Sequence, residues 1–141
     1  MVDYREEFYS ARWHLDVAKR MLGVYEEYAE KRVLVGVIRE GAKAAGKLVR
    51  AFLIREGMKG DLKVFVREVA PRYLDAGVIE NVVKILEIER AQRMARVEFV
   101  KGDNILLEAD GEWKVLKVER LKEFINSIDD IICNFPTDIK R

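Results

Sequence analysis

The side chains best suited to bind a ligand are basic and fall into two rows. The first row lies in a predicted helix and comprises Arg90, Arg93 and Arg96. The second row lies on the polar stripe of an earlier helix and comprises Lys43, Lys47 and Arg50. If the two rows face a common groove, they could hold a phosphate through charge-assisted, sometimes bidentate hydrogen bonds. The alternative is that they form surface ion pairs with carboxylates such as Glu87 and Glu89.

Motifs of the common catalytic and metal-binding classes are absent from the sequence. His14 is its only histidine and Cys133 its only cysteine, which excludes paired-histidine mechanisms and histidine-rich metal sites. We interpret His14 as a structural residue at the edge of a helix interface and Cys133 as a buried structural thiol. The sequence also has no CxxC, no Gly-x-Ser-x-Gly and no Gly-rich phosphate loop after a strand. We therefore predict no catalytic residue, no metal and no cofactor.

Composition and charge narrow the choice of compartment and partner. The 26 Lys and Arg residues nearly balance the 25 Asp and Glu residues, so the net charge of +1 argues against a general attraction to nucleic acid or membrane. A single cysteine suits a reducing cytosol, and no uncharged run approaches the roughly 20 residues of a membrane span. We expect a cytoplasmic protein. Its abundance of Glu, Lys and Arg, with little Ser, Thr or Gln, is typical of hyperthermophiles.

Two long helices are expected to position these residues. Over residues 3–31, apolar side chains recur with alternating spacings of four and three, which is the seam of a helix packed in a bundle. The helix over residues 33–57 is apolar around more than half of its circumference, so several neighbours must cover it. Its many Gly and Ala residues favour close approach by another helix.

The first helix also carries a second apolar face, which comprises Trp13, Val17 and Val24. A helix with two apolar faces needs two partners. Two alternatives are open for the second face: the last helix of the same chain covers it, or a second copy of the protein does.

Three shorter helices are predicted in the second half of the chain. One begins at Asp61 and is ended or kinked by Pro71. The next spans residues 75–96 with Asp75 as its cap and Met94 facing inward. The last spans residues 119–134, stops at Pro136 and leaves residues 137–141 as a frayed tail.

Between residues 97 and 118 the hydrophobic period changes towards two, and Asp110 and Gly111 provide a hairpin turn. The apolar pattern favours a three-residue loop, 110–112, which places Leu107 opposite Val115. An isolated hairpin is marginally stable, so Trp113 should pack against the bundle, whether the sheet has two strands or three. We predict one mainly α domain over residues 1–141, an antiparallel bundle of four to five helices with a small β-hairpin insertion near residues 105–118.

The order of helices resembles that of the HEPN superfamily. The similar segments are AGKLVRAFLIREG in the second helix, a short helix ending near AP, the charged helix containing ERAQRMAR, and the last amphipathic helix. The resemblance implies a small helical bundle, a homodimer, and a nucleotide- or RNA-related accessory role beside a nucleotidyltransferase partner. HEPN ribonucleases carry an Arg followed shortly by a His on a late helix. No histidine follows Arg90 here, so cleavage of RNA by that mechanism is not expected.

Two functions are consistent with these features. The first is a non-catalytic, homodimeric, HEPN-like interaction module with Trp13, Val17, Val24 and Trp113 at its interface. The second is a protein that binds a phosphate ligand, a nucleotide or RNA, through the two basic rows.

Overall fold

Two long antiparallel helices begin the computed structural model, which describes residues 3–136. They are α1 (Tyr4–Tyr28) and α2 (Val33–Arg55). The carboxylate of Asp3 caps α1 by accepting a hydrogen bond from the backbone N–H of Arg5. Every buried residue of α1 belongs to the predicted seam, which packs along α2. Both helices are therefore confirmed, each ending two or three residues before its predicted end.

The second half of the chain forms short helices, a sheet and a closing helix. In order, the elements are α3 (Leu62–Val64), a π-helical turn (Phe65–Val69), α4 (Ala70–Tyr73), α5 (Ala76–Met94), β1 (Val97–Lys101), β2 (Asn104–Ala109), β3 (Glu112–Lys117) and α6 (Val118–Cys133). The fold is mainly α with a small antiparallel sheet, as predicted. No helix of residues 3–136 is long and apolar enough to cross a lipid bilayer.

Helix α2 lies at the centre of the fold and contacts α1, α5 and α6. Its buried side chains cover more than half of its circumference, as the sequence predicted. Gly41 marks a close approach of two helices to α2, because a Cβ atom added there would lie 2.8 Å from Cδ1 of both Ile85 on α5 and Ile125 on α6. A glycine at this position therefore lets two helices approach the same point of α2.

The predicted start signals of the later helices are confirmed. Asp61 accepts a hydrogen bond from the N–H of Lys63, and Asp75 accepts one from the N–H of Val78. The π-helical turn precedes Pro71, whose missing N–H and bulky ring cannot continue a regular helix. The inward orientation predicted for Met94 is wrong. It is the last residue of α5 and 65% exposed, since the chain turns into β1 before another helical turn can cover it.

The sheet has three antiparallel strands in the order β1-β2-β3. The predicted three-residue loop between β2 and β3 is wrong. Ala109 pairs with Glu112 and Leu107 with Lys114, so the loop is Asp110 and Gly111 alone. Their φ angles of 52° and 81° are both positive, as the type I′ turn of a two-residue hairpin requires.

The same register decides which side chains of the sheet face the bundle. Ile105, Leu107 and Leu116 are buried on the inner face. Trp113, which was expected to pack against the bundle, lies on the outer face and is 52% exposed. The expectation failed because the sheet is apolar on both faces, so the sequence pattern could not identify the inner one.

Helix α6 closes the core, and Phe135 just beyond it joins an aromatic cluster. Its ring centroid lies 4.5 Å from that of Phe52 and 4.7 Å from that of Phe8. Cys133 is exposed rather than buried, because it lies on the side of α6 turned away from this core. The predicted frayed tail, 137–141, lies outside the described residues.

Candidate functional site

The basic row on α2 pairs with carboxylates at the contact between α1 and α2. Lys47 and Arg50 each place a side-chain nitrogen 3.5 Å from the carboxylate of Glu7 on α1. Lys43 lies 3.7 Å from the carboxylate of Glu40, one turn earlier on α2. Both carboxylates are only 14% exposed, so this row of cations compensates two largely buried negative charges.

The basic row on α5 lies elsewhere. Arg93 pairs with Glu89 at 2.9 Å, whereas Arg90 and Arg96 are exposed and form no ion pair with any other described residue. Helix α5 contacts α2 at Gly41, and the row on α2 lies about 180° to 240° around the helix from that contact. The structure therefore does not bring the two rows to a common groove.

His14 forms the shortest polar contact between α1 and α2. Its Nδ1 lies 2.6 Å from Oε1 of Glu40, and both side chains are largely buried. The ring of Trp13 stands edge-on to the imidazole at 5.0 Å between centroids. This pair ties the middle of the helical hairpin together, in agreement with the structural role expected for His14.

A second apolar surface lies on α1, opposite its buried seam. This surface, the α1 outer face, comprises Tyr9, Trp13, Val17, Val24 and Tyr28. Trp13 is 63% exposed and Tyr28 is 70% exposed. Helix α6 packs beside this face rather than on it, through the Lys122–Glu26 and Lys19–Asp129 pairs. The sequence left two alternatives for what covers this face. Coverage by the last helix of the chain, one of the two, is therefore wrong.

Sequence reasoning found three of these five residues and missed Tyr9 and Tyr28. Tyr9 precedes Trp13 by four residues and Tyr28 follows Val24 by four. This spacing keeps them on the same face of a helix and would have added them to the surface.

The outer side of the sheet exposes a further apolar surface. This surface, the sheet outer face, comprises Phe99, Leu106, Trp113 and Val115. The rings of Phe99 and Trp113 lie 6.0 Å apart at 80° to each other. The next row of side chains on the same side of the sheet is Lys101, Asn104 and Lys117.

An open cleft borders this sheet at β1. It has a volume of about 490 Å³ and is lined by Lys31, Arg32, Val35, Glu98, Phe99 and Val100. Phe99 therefore belongs both to the cleft and to the sheet outer face, which makes the two surfaces continuous.

The α1 outer face, the sheet outer face and the cleft are the candidate functional surfaces. No known protein family, curated protein or solved structure matches this chain. Within residues 3–136, no group of three His, Cys, Asp or Glu side chains is placed to hold a metal ion. All three surfaces combine exposed apolar or aromatic side chains with flanking charges, which is the chemistry of a binding surface.

Two groups have shifted pKa values, and each of them belongs to an exposed ion pair. Hydrogen bonds from the side chain and then the backbone of Arg32 lower the pKa of Glu30, in the turn beside the cleft. A hydrogen bond to Glu26 raises the pKa of Lys122, which links α6 to α1. Both shifts stabilise the charged forms of these groups.

Proposed function

We propose that the protein is a non-catalytic interaction module that forms a homodimer through the α1 outer face. The observation that carries this proposal is the row of exposed apolar and aromatic side chains between residues 9 and 28. This row covers about five turns of helix on the side opposite the core. Water-exposed apolar surface of that extent is typical of a site that another protein covers.

The charges of the α1 outer face suit a second copy of the same chain. Asp16 and Arg20 lie beside this face and form no ion pair with the part of the chain that the structure describes. If two α1 helices pack antiparallel around a two-fold axis level with residue 18, Asp16 faces the partner's Arg20. The symmetry repeats this pair, so both charges of each copy are compensated.

The same antiparallel register gives Trp13 a complementary surface. It places the indole of Trp13 over Gly23 of the partner subunit and beside the partner's Val24. A Cβ atom added at Gly23 would meet no atom within 4 Å, so the surface there is open. A large ring opposite a glycine allows close contact between two helices.

The proposal includes the HEPN-like assignment and its nucleotidyltransferase partner. It is supported by the helix order, in which two long helices precede an interrupted short helix, a charged helix and a closing amphipathic helix. The three-stranded sheet is an addition to the expected bundle. A cytoplasmic location and a hyperthermophilic source, indicated by the composition, belong to the same proposal.

Light scattering tests the dimer directly. The wild-type protein should be a dimer, and Trp13→Glu should convert it to a folded monomer, because a carboxylate buried in the interface would lose its water without gaining a partner. Trp113→Glu is the matched control, since it places the same charge on the other exposed tryptophan. A monomeric wild type, or a dimer that only Trp113→Glu dissociates, would overturn the proposal.

A charge swap tests the antiparallel register. Asp16→Arg and Arg20→Asp should each weaken the dimer, because each places like charges opposite one another across the two-fold axis. The double variant should restore the wild-type dimerisation constant. If the double variant is weaker than either single variant, the two residues do not face each other and this register is wrong.

A further inference from the structure

Two of the four side chains of the sheet outer face are aromatic. Phe99 and Trp113 are 44% and 52% exposed, and their rings stand nearly perpendicular to each other. Leu106 and Val115 lie in one row with Phe99 across the sheet and extend the two rings into an apolar floor. The opposite side of the sheet is buried on the bundle, so these side chains contribute little to the core of the protein.

Cations border this aromatic floor on two sides. Lys101 and Lys117 lie two positions further along β1 and β3, about 7 Å from Phe99 and Val115, with Asn104 between them. Across the cleft from Phe99 lie Lys31 and Arg32.

Carboxylates also lie near the floor. Glu98 lines the cleft. Glu108 lies beside Trp113, and one of its oxygens accepts a 2.7 Å hydrogen bond from the N–H of Gly111. Arg32 already pairs with Glu30 at 3.3 Å, and Asp103 lies in the turn that follows Lys101. The cations around the floor that form no ion pair with another residue of 3–136 are Lys31, Lys101 and Lys117.

We propose that the sheet outer face and the adjoining cleft bind a single-stranded nucleic acid. Unpaired bases stack on Phe99 and Trp113, since every base has a π face that an exposed aromatic ring can cover. The phosphates contact Lys101 and Lys117 at one end of the floor and Lys31 at the cleft. The bases of a duplex are already stacked on each other, so the aromatic floor selects a single strand. This proposal uses a surface separate from the dimer contact on α1.

The two tryptophans of the chain allow a direct spectroscopic test. In the Trp13→Phe variant the only tryptophan is Trp113, and in the Trp113→Phe variant it is Trp13. Titration with unlabelled oligouridine or oligothymidine of about 12 nucleotides should quench the fluorescence of Trp113 saturably and leave that of Trp13 unchanged. Parallel titrations with the two oligonucleotides show whether RNA or DNA is preferred. Quenching of neither tryptophan, or of Trp13 alone, would overturn the proposal.

Affinity measurements give an independent test of the stacking contact. By fluorescence anisotropy of a labelled oligonucleotide, Trp113→Leu should bind about tenfold more weakly than wild type, because it removes a stacked base contact. Trp13→Leu, the matched control on α1, should bind like wild type. Equal effects of the two substitutions on affinity would contradict the proposal. So would a Trp113→Leu protein that binds the oligonucleotide like wild type but no longer self-associates, because the sheet outer face would then be a protein interface.

Salt dependence tests the phosphate contacts. Lys101→Ala and Lys117→Ala should each reduce the slope of log K against log salt concentration by about 1, measured between about 50 and 200 mM salt. Lys59→Ala is the matched control. The cleft borders the first residues of α2, whereas Lys59 follows the last ones, and the two ends of this helix are about 34 Å apart. An unchanged slope for both test variants would rule out these contacts. Since Trp13→Glu reports on the dimer and these variants on the sheet, either proposal can fail without the other.

Discussion

His14 on α1 and Glu40 on α2 lie 2.6 Å apart across the contact between the two longest helices. Glu40 also lies 3.7 Å from Lys43. The two side chains are only 16% and 14% exposed. If either partner were removed, few water molecules could reach the other to form a replacement hydrogen bond. A polar pair in this position fixes how α1 and α2 align, because a shift of one helix along the other would separate it.

Removal of either partner of this pair should destabilise the protein. His14→Leu leaves the Glu40 carboxylate with only Lys43, and Glu40→Leu leaves the imidazole without its partner, so each should cost about 1 to 3 kcal/mol. The double variant should cost less than the sum, with a coupling energy of at least about 0.5 kcal/mol. Urea unfolding of the four proteins measures this coupling. Strictly additive effects would show that the contact contributes nothing to stability.

Two glycines of α2 should respond in opposite ways to the same substitution. Gly41→Ala forces Ile85 and Ile125 to move, so despite the better helix propensity of Ala we expect a loss of about 1 to 2 kcal/mol. Gly46→Ala meets no atom within 4 Å and should stabilise the protein by up to about 1 kcal/mol. Thermal unfolding of the two variants compares them. Equal stabilisation by both would mean that α5 and α6 do not pack closely at Gly41.

The sequence was sufficient where local chemistry determines the structure. The seam of α1 and the caps at Asp61 and Asp75 depend only on helical spacing and on hydrogen bonds between near neighbours. The hairpin register could not be derived in this way. The residues on the two sides of β2, such as Leu106 and Leu107, are both apolar, so only contact with the bundle determines which side is buried.

The candidate surfaces were predictable to different degrees. Trp13 was recognised because the regular spacing of apolar residues predicts α1 reliably. An apolar side chain that lies off the buried seam of such a helix is then expected to be exposed. The sheet outer face was found only in part. Trp113 was named as an interface residue, but it was also expected to pack against the bundle, so its neighbours Phe99, Leu106 and Val115 were not recognised. Whether Lys47 and Arg93 share a groove depends on how α5 is rotated about α2, which no local pattern specifies. Lys47 instead pairs with Glu7, forty residues away in sequence.

The turn between β2 and β3 should depend strongly on Gly111. Its φ of 81° is disfavoured for any residue with a Cβ atom, so Gly111→Ala should cost about 1 to 2 kcal/mol. Asp110→Asn should be nearly neutral, because Asn tolerates the positive φ of 52° at that position at least as well as Asp. Urea unfolding followed by circular dichroism measures both. A Gly111→Ala variant as stable as wild type would argue for a hairpin loop of different length.

The ion pair between Lys122 on α6 and Glu26 on α1 should stabilise the protein up to alkaline pH. The two groups lie 2.9 Å apart, and this hydrogen bond raises the pKa of Lys122 above its ordinary value of 10.5. A pKa that is higher in the folded state than in the unfolded state contributes stability fully below 10.5, and the contribution is lost as pH rises through the folded value. For this exposed pair we expect Lys122→Met to cost less than about 1 kcal/mol at neutral pH.

The pH dependence of the difference between wild type and Lys122→Met isolates this pair, because the other titrating groups are common to both proteins. The difference in unfolding free energy should be constant around neutral pH and should shrink as the pH rises above 10.5, the ordinary pKa of lysine. Lys63→Met is the matched control, since Lys63 is exposed and forms no ion pair with any residue of 3–136. A difference for Lys122→Met that persists unchanged at the highest pH would assign its effect to the packing of the lysine stem against α1 rather than to its charge.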